Sequence, residues 1–390
     1  MQKFIFNLVT LLACLPVTSP AQTSTEALQH LLDELTGSGV PGITMSINYA
    51  DTNLWLGASG YANLQSRTRM NPNNITRMGS TVKTITATTI LLLQEEGKLQ
   101  LDDKITSYLS KDQLKGIRNA ELATIRQLLN HSSGIFNYIQ DSHFQAASLN
   151  NLTKEWHAED LLKYARNKQP YFKLGADVRY SNTNYILLGW IIEKVCGKPF
   201  WSVFQEKIFT PLDFTQTRFA ATDKVPAGIV HGYIDLYSNL NVIDATNYSG
   251  WDYFTADGGL ISNVAELNLF LTSLCTGKII SEASFQEMVN GIPAKAIDPP
   301  FFPIEYGLGI FKMDTPWGEA WFHSGDAIGY YACMVYFPKS RTTIVWSANG
   351  NYGKIDPFIS SKEAMEKIFT TIFGKVVASN ATCFAIPLLP

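Results

Sequence analysis

The sequence predicts an α/β protein in which segments from both ends of the chain share one antiparallel sheet with flanking helices, around a mostly helical middle. Three observations carry this. Apolar and polar residues alternate in "GITMSINYA" and "LWLGASGYAN", and strand-like character returns near the other end in "AWFHSG", "GYYACMVYF" and "TTIVWSANG". Amphipathic helical stretches lie outside both sets of strands. Between them, from Leu99 to about Thr255, come helical patches and long loops rich in Asn, Ser and Tyr. The expected division is a leader at residues 1–21 and one domain at 22–390, with its α/β part at 24–98 and 256–375 and its helical part at 99–255.

The first residues read as an export signal: Lys3 gives a weakly positive start, Phe4 to Leu15 an apolar core, and "SPA" before Gln22 a small-residue cleavage site. An exported protein, periplasmic or secreted, is expected. Cys14 in "LLAC" offers a lipoprotein anchor, a less favoured reading because Leu12 fits that pattern poorly. No other apolar run is long enough to span a membrane.

"STEALQHLLDELTGSG" follows as a helix with Leu28, Leu31, Leu32 and Leu35 on one face, capped by Ser24 or Thr25 and ended at Gly37. The two N-terminal strands turn at Asp51 and Thr52 as a hairpin. "TRMGSTVKTITATTILLLQEEGKL" holds a helix-like apolar run that begins at Ser80 and stops at Gly97. "TIRQLLNHSSGI" is a short helix and its exit. "NTNYILLGWIIEKVCG" is a buried helix starting at Asn182 or Thr183, and "SNVAELNLFLTSL" another, with Asn263 and Glu266 placed as a capping box. "PKSR" turns between the last two strands, and a terminal helix carries Ile359, Met365, Ile368 and Phe369.

A net charge of −3 without a long basic run argues against a nucleic-acid partner, and none is expected. Cys196, Cys275, Cys333 and Cys383 are too far apart for a zinc cluster. They allow three disulfide pairings, or buried free thiols, and the sequence does not choose. Six scattered histidines and the lack of a glycine-rich phosphate loop call for no metal or cofactor.

Three separated elements carry chemistry. Ser80 and Lys83 stand one helical turn apart, and Ser80 is the only serine followed at this spacing by lysine. A serine hydroxyl needs a base to become a nucleophile, and a lysine whose pKa is lowered by burial can be that base. Unsatisfied N–H groups at the helix start favour developing negative charge on Ser80. The plainer reading is a capping serine and a snorkelling lysine. In "RYSNTNY", Tyr180 and Asn182 are two apart in extended chain, so they point the same way. A phenol beside an ammonium is stabilised as phenolate and can shuttle a proton, and an amide can orient substrate and lysine. In "FHSGDAIGYY", His323 ends an aromatic strand and Gly325 leaves room for a substrate backbone.

"STVK", "YSN" and "HSG", in this order and at these separations, resemble the three motifs of the penicillin-recognising serine hydrolases: class C β-lactamases, DD-carboxypeptidases and related esterases and peptidases. "IRQLLNHSSGI", "LDDKITSYL", "GGLISNVAELNLFL" and "YGLGI" extend the resemblance over roughly Leu28 to Phe373. It implies a β-lactamase/transpeptidase-like fold and an acyl-enzyme on Ser80. Lys83 and Tyr180 would share the general-base role, with Asn182 orienting the substrate and Lys83. His323 and Gly325 would bind substrate, and the backbone N–H groups of Ser80 and Asp326 would form the oxyanion hole. Asp326 suits that place only if its side chain turns away. His131 is expected to be structural.

The implied partner is a small molecule or peptide: a cell-wall peptide, a β-lactam or an ester. D-alanyl-D-alanine carboxypeptidase or β-lactamase chemistry is the first expectation, an esterase or D-aminopeptidase the second, and a penicillin-binding protein without turnover the third. Histidine in place of the β-lactamases' usual Lys-Thr-Gly weakens the case for an efficient β-lactamase. A free carboxylate is best held by arginine, and none lies between Arg218 and Arg341, leaving His323 or Lys312 for that task.

Overall fold

Period-two alternation decides which side of a sheet each residue faces, and here it sorts the strand residues between two cores. The computed structural model describes residues 23–220, 225–235, 241–248, 250, 252–293, 302–350 and 362–375. The expected leader with Cys14, the apolar Ile359 and Cys383 lie outside these residues.

Nine strands form one sheet in the order β3-β2-β1-β14-β13-β12-β11-β10-β9. They are β1 (Gly42–Tyr49), β2 (Asn53–Asn63), β3 (Thr68–Arg69), β9 (Ile292–Pro293), β10 (Ile304–Tyr306), β11 (Phe311–Thr315), β12 (Gly318–Ala327), β13 (Tyr330–Phe337) and β14 (Thr342–Ala348). Every pairing is antiparallel. The two ends of the chain meet at β1 and β14, in register from Ile43 opposite Ala348 to Asn48 opposite Thr343. A small sheet orders β4 (Thr76–Gly79), β8 (Leu260–Ser262) and β5 (Arg218–Phe219), and β6 (Tyr233–Ile234) pairs with β7 (Ile243–Asp244). Among the described residues the long helices are α1 (Thr25–Gly37), α2 (Val82–Glu95), α3 (Asn182–Cys196), α4 (Val264–Cys275) and α5 (Lys362–Phe373).

On one face, Ile43, Met45 and Ile47 of β1 and Cys333, Val335, Ile344 and Trp346 pack with the four leucines of α1 and with Met365, Ile368 and Phe369 of α5. Each buried leucine contributes about 1.5–3 kcal/mol. On the other face, Met334 and Val345 join Val264, Leu267, Phe270 and Leu271 of α4. There β1 shows polar residues, and Ser46 among them is fully engaged. Ser46 Oγ donates to the Val264 carbonyl at 2.7 Å, while Asn268 Nδ2 donates to Ser46 Oγ and to the Thr343 carbonyl, both at 3.2 Å. The predicted α/β class and the sheet shared by both ends are borne out.

Local expectations differ in four places. The helix expected from Ser80 starts only at Val82, and the residues before it form strand β4, where Thr76 and Arg77 pair with Ser262 and Ile261 of β8. Asn263 does accept from Glu266 N at 2.9 Å, but the Glu266 carboxylate does not return the bond. It accepts the N–H groups of Thr215, Gln216 and Thr217 and so fastens that loop to α4. "EYGLGIFKM" forms the hairpin β10–β11, which its short, glycine-rich text hid.

Gly325 is the fourth and corrects a functional expectation. The room its missing side chain leaves is filled by the protein itself, since a Cβ there would lie 2.1 Å from the Met78 carbonyl oxygen and 2.5 Å from Ser80 N. Gly79, with φ +50°, makes the matching approach, and its Cβ would lie 2.6 Å from the Asp326 carbonyl oxygen. Two backbones therefore cross where no side chain fits. Gly325→Ala is expected to destabilise the fold by about 1–3 kcal/mol through overpacking, read as a lowered denaturation midpoint against the wild type.

Candidate active site

Ser80 stands on the turn between β4 and α2. The turn closes where the Ser80 carbonyl accepts Lys83 N at 3.0 Å, which puts both side chains on one side. Lys83 Nζ donates to Ser80 Oγ at 2.8 Å and to the Asp257 carbonyl at 2.5 Å. The lysine is 0% exposed, and its ammonium lies 5.1 Å from the Tyr180 ring centre and 5.5 Å from that of Tyr185. Burial pulls its pKa down to about 8, while the charges of Asp257 and Asp252 act in the opposite direction.

The Tyr180 phenol stands close enough to Ser80 for the serine side chain to favour its ionised form, so the serine hydroxyl has an amine in direct contact and a phenol nearby. Burial drives the phenol well above its ordinary pKa, outweighing the influence of Ser80. The resting group is therefore a neutral phenol, which corrects the phenolate expectation. Its ring is held between His131, with centroids 4.5 Å apart, and Phe311, which stacks at 6.3 Å.

His131 is the scaffold residue expected. It takes a left-handed φ of 60°, its Nδ1 accepts Ser181 N at 3.2 Å, and its carbonyl accepts Arg179 N at 3.1 Å. These bonds fix the Arg179–Ser181 stretch on either side of Tyr180. Asn182 begins α3 after the cap residue Ser181 and contacts Asn137, whose Oδ1 accepts Asn182 N at 3.2 Å and Nδ2 at 3.5 Å. Lys83 thus takes its orientation from Ser80 and Asp257, whereas Asn182 turns to Asn137.

His323 is buried on β12, and its Nδ1 donates to the Ser324 carbonyl at 2.6 Å. Burial, and then the nearby Lys83 charge, lower its pKa to about 3, so it is neutral near pH 7. That removes the expectation of a protonated His323 holding a substrate carboxylate. Lys312, the other candidate, pairs with Glu305 at 2.8 Å on the neighbouring strand β10. Asp326 is exposed on β12. Its backbone lies against the Ser80 turn, because a Cβ on Gly79 would sit 2.9 Å from Asp326 N.

Sequence reasoning missed Asp252 and Asp257, both buried beside Lys83. The doublet Gly258-Gly259 was the available signal. A Cβ on Gly258 would lie 1.9 Å from Asp252 Oδ2, so only glycine admits that carboxyl. Among the described residues Cys196, Cys275 and Cys333 are free thiols, and no helix is long and apolar enough to cross a membrane.

The cluster of Ser80, Lys83 and Tyr180 lies against β12, an inner strand of the antiparallel sheet, in a serine-hydrolase fold of penicillin-recognising type. Residues 28–359 match the Beta-lactamase family, and the chain belongs to it. It is 29% identical over 308 residues to penicillin-binding protein 4* of Bacillus subtilis, covering 74% of this chain and 64% of that protein. The putative penicillin-binding protein PbpX of the same organism is 26% identical, over 73% of this chain and 64% of the relative. The chain thus spans a little under two thirds of these relatives' length. Among solved structures, a D-stereospecific amidohydrolase from Streptomyces superposes with a TM-score of 0.78 at 28% identity, covering 90% of this chain and 99% of that one. The D-amino acid amidase of Ochrobactrum anthropi, at 24% identity and TM-score 0.77 over 89% and 96% of the two chains, shares the fold.

The lowered pKa of His323 carries a stability prediction. Between about 3 and the ordinary 6.5 the unfolded chain binds a proton that the native histidine does not, so stability rises with pH there. Wild-type stability is expected to fall as pH drops from 6.5 towards 4, and His323→Asn to remove part of that fall, about 1–3 kcal/mol. Denaturant midpoints of both proteins at pH 4 and 7 check it. The lowered pKa of His131 makes the remaining loss run in the same direction.

Proposed function

We propose that this protein is an exported serine hydrolase that cleaves an amide or ester through an acyl-serine on Ser80, with D-amino-acid amides and esters as its substrate class. The observation that carries this is the Ser80 hydroxyl set 2.8 Å from a fully buried lysine amine, with the Tyr180 phenol close by.

A lysine with a pKa near 8 has a usable fraction of free amine around neutral pH. That amine takes the Ser80 proton as Oγ attacks the substrate carbonyl. The displaced electron pair moves onto the carbonyl oxygen, which the N–H groups of Ser80 and Asp326 receive; such donors contribute a few kcal/mol in comparable sites. On collapse, Tyr180 gives its proton to the departing amine or alkoxide and regains one from Lys83. Water then hydrolyses the ester by the same route in reverse.

Charge supports an amide over a carboxypeptidase substrate. A D-Ala-D-Ala terminus brings a carboxylate that needs a cation, yet His323 is neutral and Lys312 is paired with Glu305. A substrate whose scissile bond ends in an amide or ester makes no such demand. The likeness to a D-stereospecific amidohydrolase over almost its full length supports the same choice. The leader in residues 1–21 supports export.

The test is a panel of D- and L-amino-acid amides and esters, D-Ala-D-Ala peptides and a penicillin, with mass spectrometry of the Ser80 peptide. Faster turnover of D-amides than of peptides with free carboxylates is expected. A lasting penicillin adduct without turnover of any substrate would replace this reading with that of a binding protein. Ser80→Ala and Lys83→Ala are each expected to lower kcat/KM roughly a thousandfold or more, and by similar factors, because the two groups act as a unit.

A further inference from the structure

We infer that Asp257, backed by Asp252, is the positioning residue that seats Lys83 and sets its charge. The inference rests on the acyl-serine reading above and names residues that reading does not use. Three geometric facts carry it. The main chain of Asp257 accepts one of the two hydrogen bonds of Lys83 Nζ. Its carboxyl is wholly buried, with Oδ2 accepting from Tyr138 at 3.3 Å and Oδ1 left without a partner. Asp252 is brought alongside by the bare backbone of Gly258. The segment is held in place one residue earlier, where Thr86 of α2 donates to the Ala256 carbonyl at 2.9 Å.

A buried carboxyl oxygen without a donor is costly unless a nearby charge compensates it. Lys83 is that charge. Two carboxyls cannot both ionise cheaply beside each other in a dry site, so one keeps a proton. In line with this, burial and the neighbouring Asp257 push Asp252 up to about 7, and burial raises Asp257 as well. One ammonium, one carboxylate and one carboxylic acid make a neutral cluster.

The other groups facing it bring no competing negative charge near pH 7. Tyr138, Tyr180, Tyr185 and Tyr306 are phenols shifted upwards, and His131 and His323 are neutral. Arg77 of β4 lies 3.4 Å from the Tyr253 ring centre and acts on Asp252. The acid pair therefore opposes desolvation and favours the protonated form of Lys83, raising the pH at which its free amine becomes available as a base.

Removing a carboxylate should let Lys83 lose its proton at lower pH. Asp257→Asn leaves the carbonyl anchor and the shape of the side chain intact, so it isolates charge from position. The experiment measures the rate of Ser80 acylation by p-nitrophenyl butyrate from pH 5 to 9 in the wild type, Asp257→Asn and Asp252→Asn, with thermal melts to verify folding. The acidic limb is expected to move down by about one pH unit or more in Asp257→Asn, and by less in the same direction in Asp252→Asn. A limb that stays in place, or moves up, in the folded variants overturns the inference. Asp252→Asn alone decides it should Asp257→Asn not fold. A wild type that acylates normally while the limbs stay fixed removes only this inference, whereas a wild type without a Ser80 adduct removes the acyl-serine reading with it.

Discussion

Complete burial of one ammonium group is the constraint on which the site depends. Moving such a charge out of water costs several kcal/mol even after relaxation, so the surroundings of Lys83 must compensate it or let it become neutral. Here both happen. A serine hydroxyl and a main-chain carbonyl accept its protons, two tyrosine rings lie within 5.5 Å, and two buried aspartates supply counter-charge. The group is left poised between its charged and neutral forms. That poise is what general-base chemistry requires, since a base fully protonated or fully free at working pH does half the task.

The sheet supplies the rigidity that such poise needs. Ser80 follows β4, His323 lies on β12, and the β12 backbone passes so close to the Ser80 turn that both strands have glycine at the crossing. Tyr180 comes from the helical region and is held by the buried imidazole of His131. The three motifs are thus fixed by different means: backbone crossing for Ser80, strand register for His323 and ring packing for Tyr180. Closing the sheet through β1 and β14 joins the chain ends and makes the crossing possible.

Much of this was legible in the sequence, for identifiable reasons. Alternation in β1, β13 and β14 and the leucine stripe of α1 are local signals of burial, and they marked the sheet and its covering helix correctly. The spacing of Ser80 and Lys83 encodes a shared direction whether the intervening chain is turn or helix, so the late start of α2 did no damage. What was not legible depends on tertiary context. Gly325 has an empty Cβ position, but the text does not say which backbone fills it. Nor does it say that Tyr180 is desolvated enough to stay neutral, or that Asp252 and Asp257, apart from every motif, fold in beside Lys83.

Neutrality at His323 bears on substrate choice more than any single contact. On the proposed reading, a cation at the third motif would suit a substrate's free carboxylate. An imidazole buried behind Lys83 cannot be that cation, because each positive charge makes the other costlier. Protonating His323 would raise the free energy of the same pocket that keeps Lys83 basic. The site can therefore sustain one positive charge, and it has placed that charge on the lysine. On the proposed amide or ester reading, a substrate recognised through neutral hydrogen bonds suits this arrangement better than one that demands a second cation.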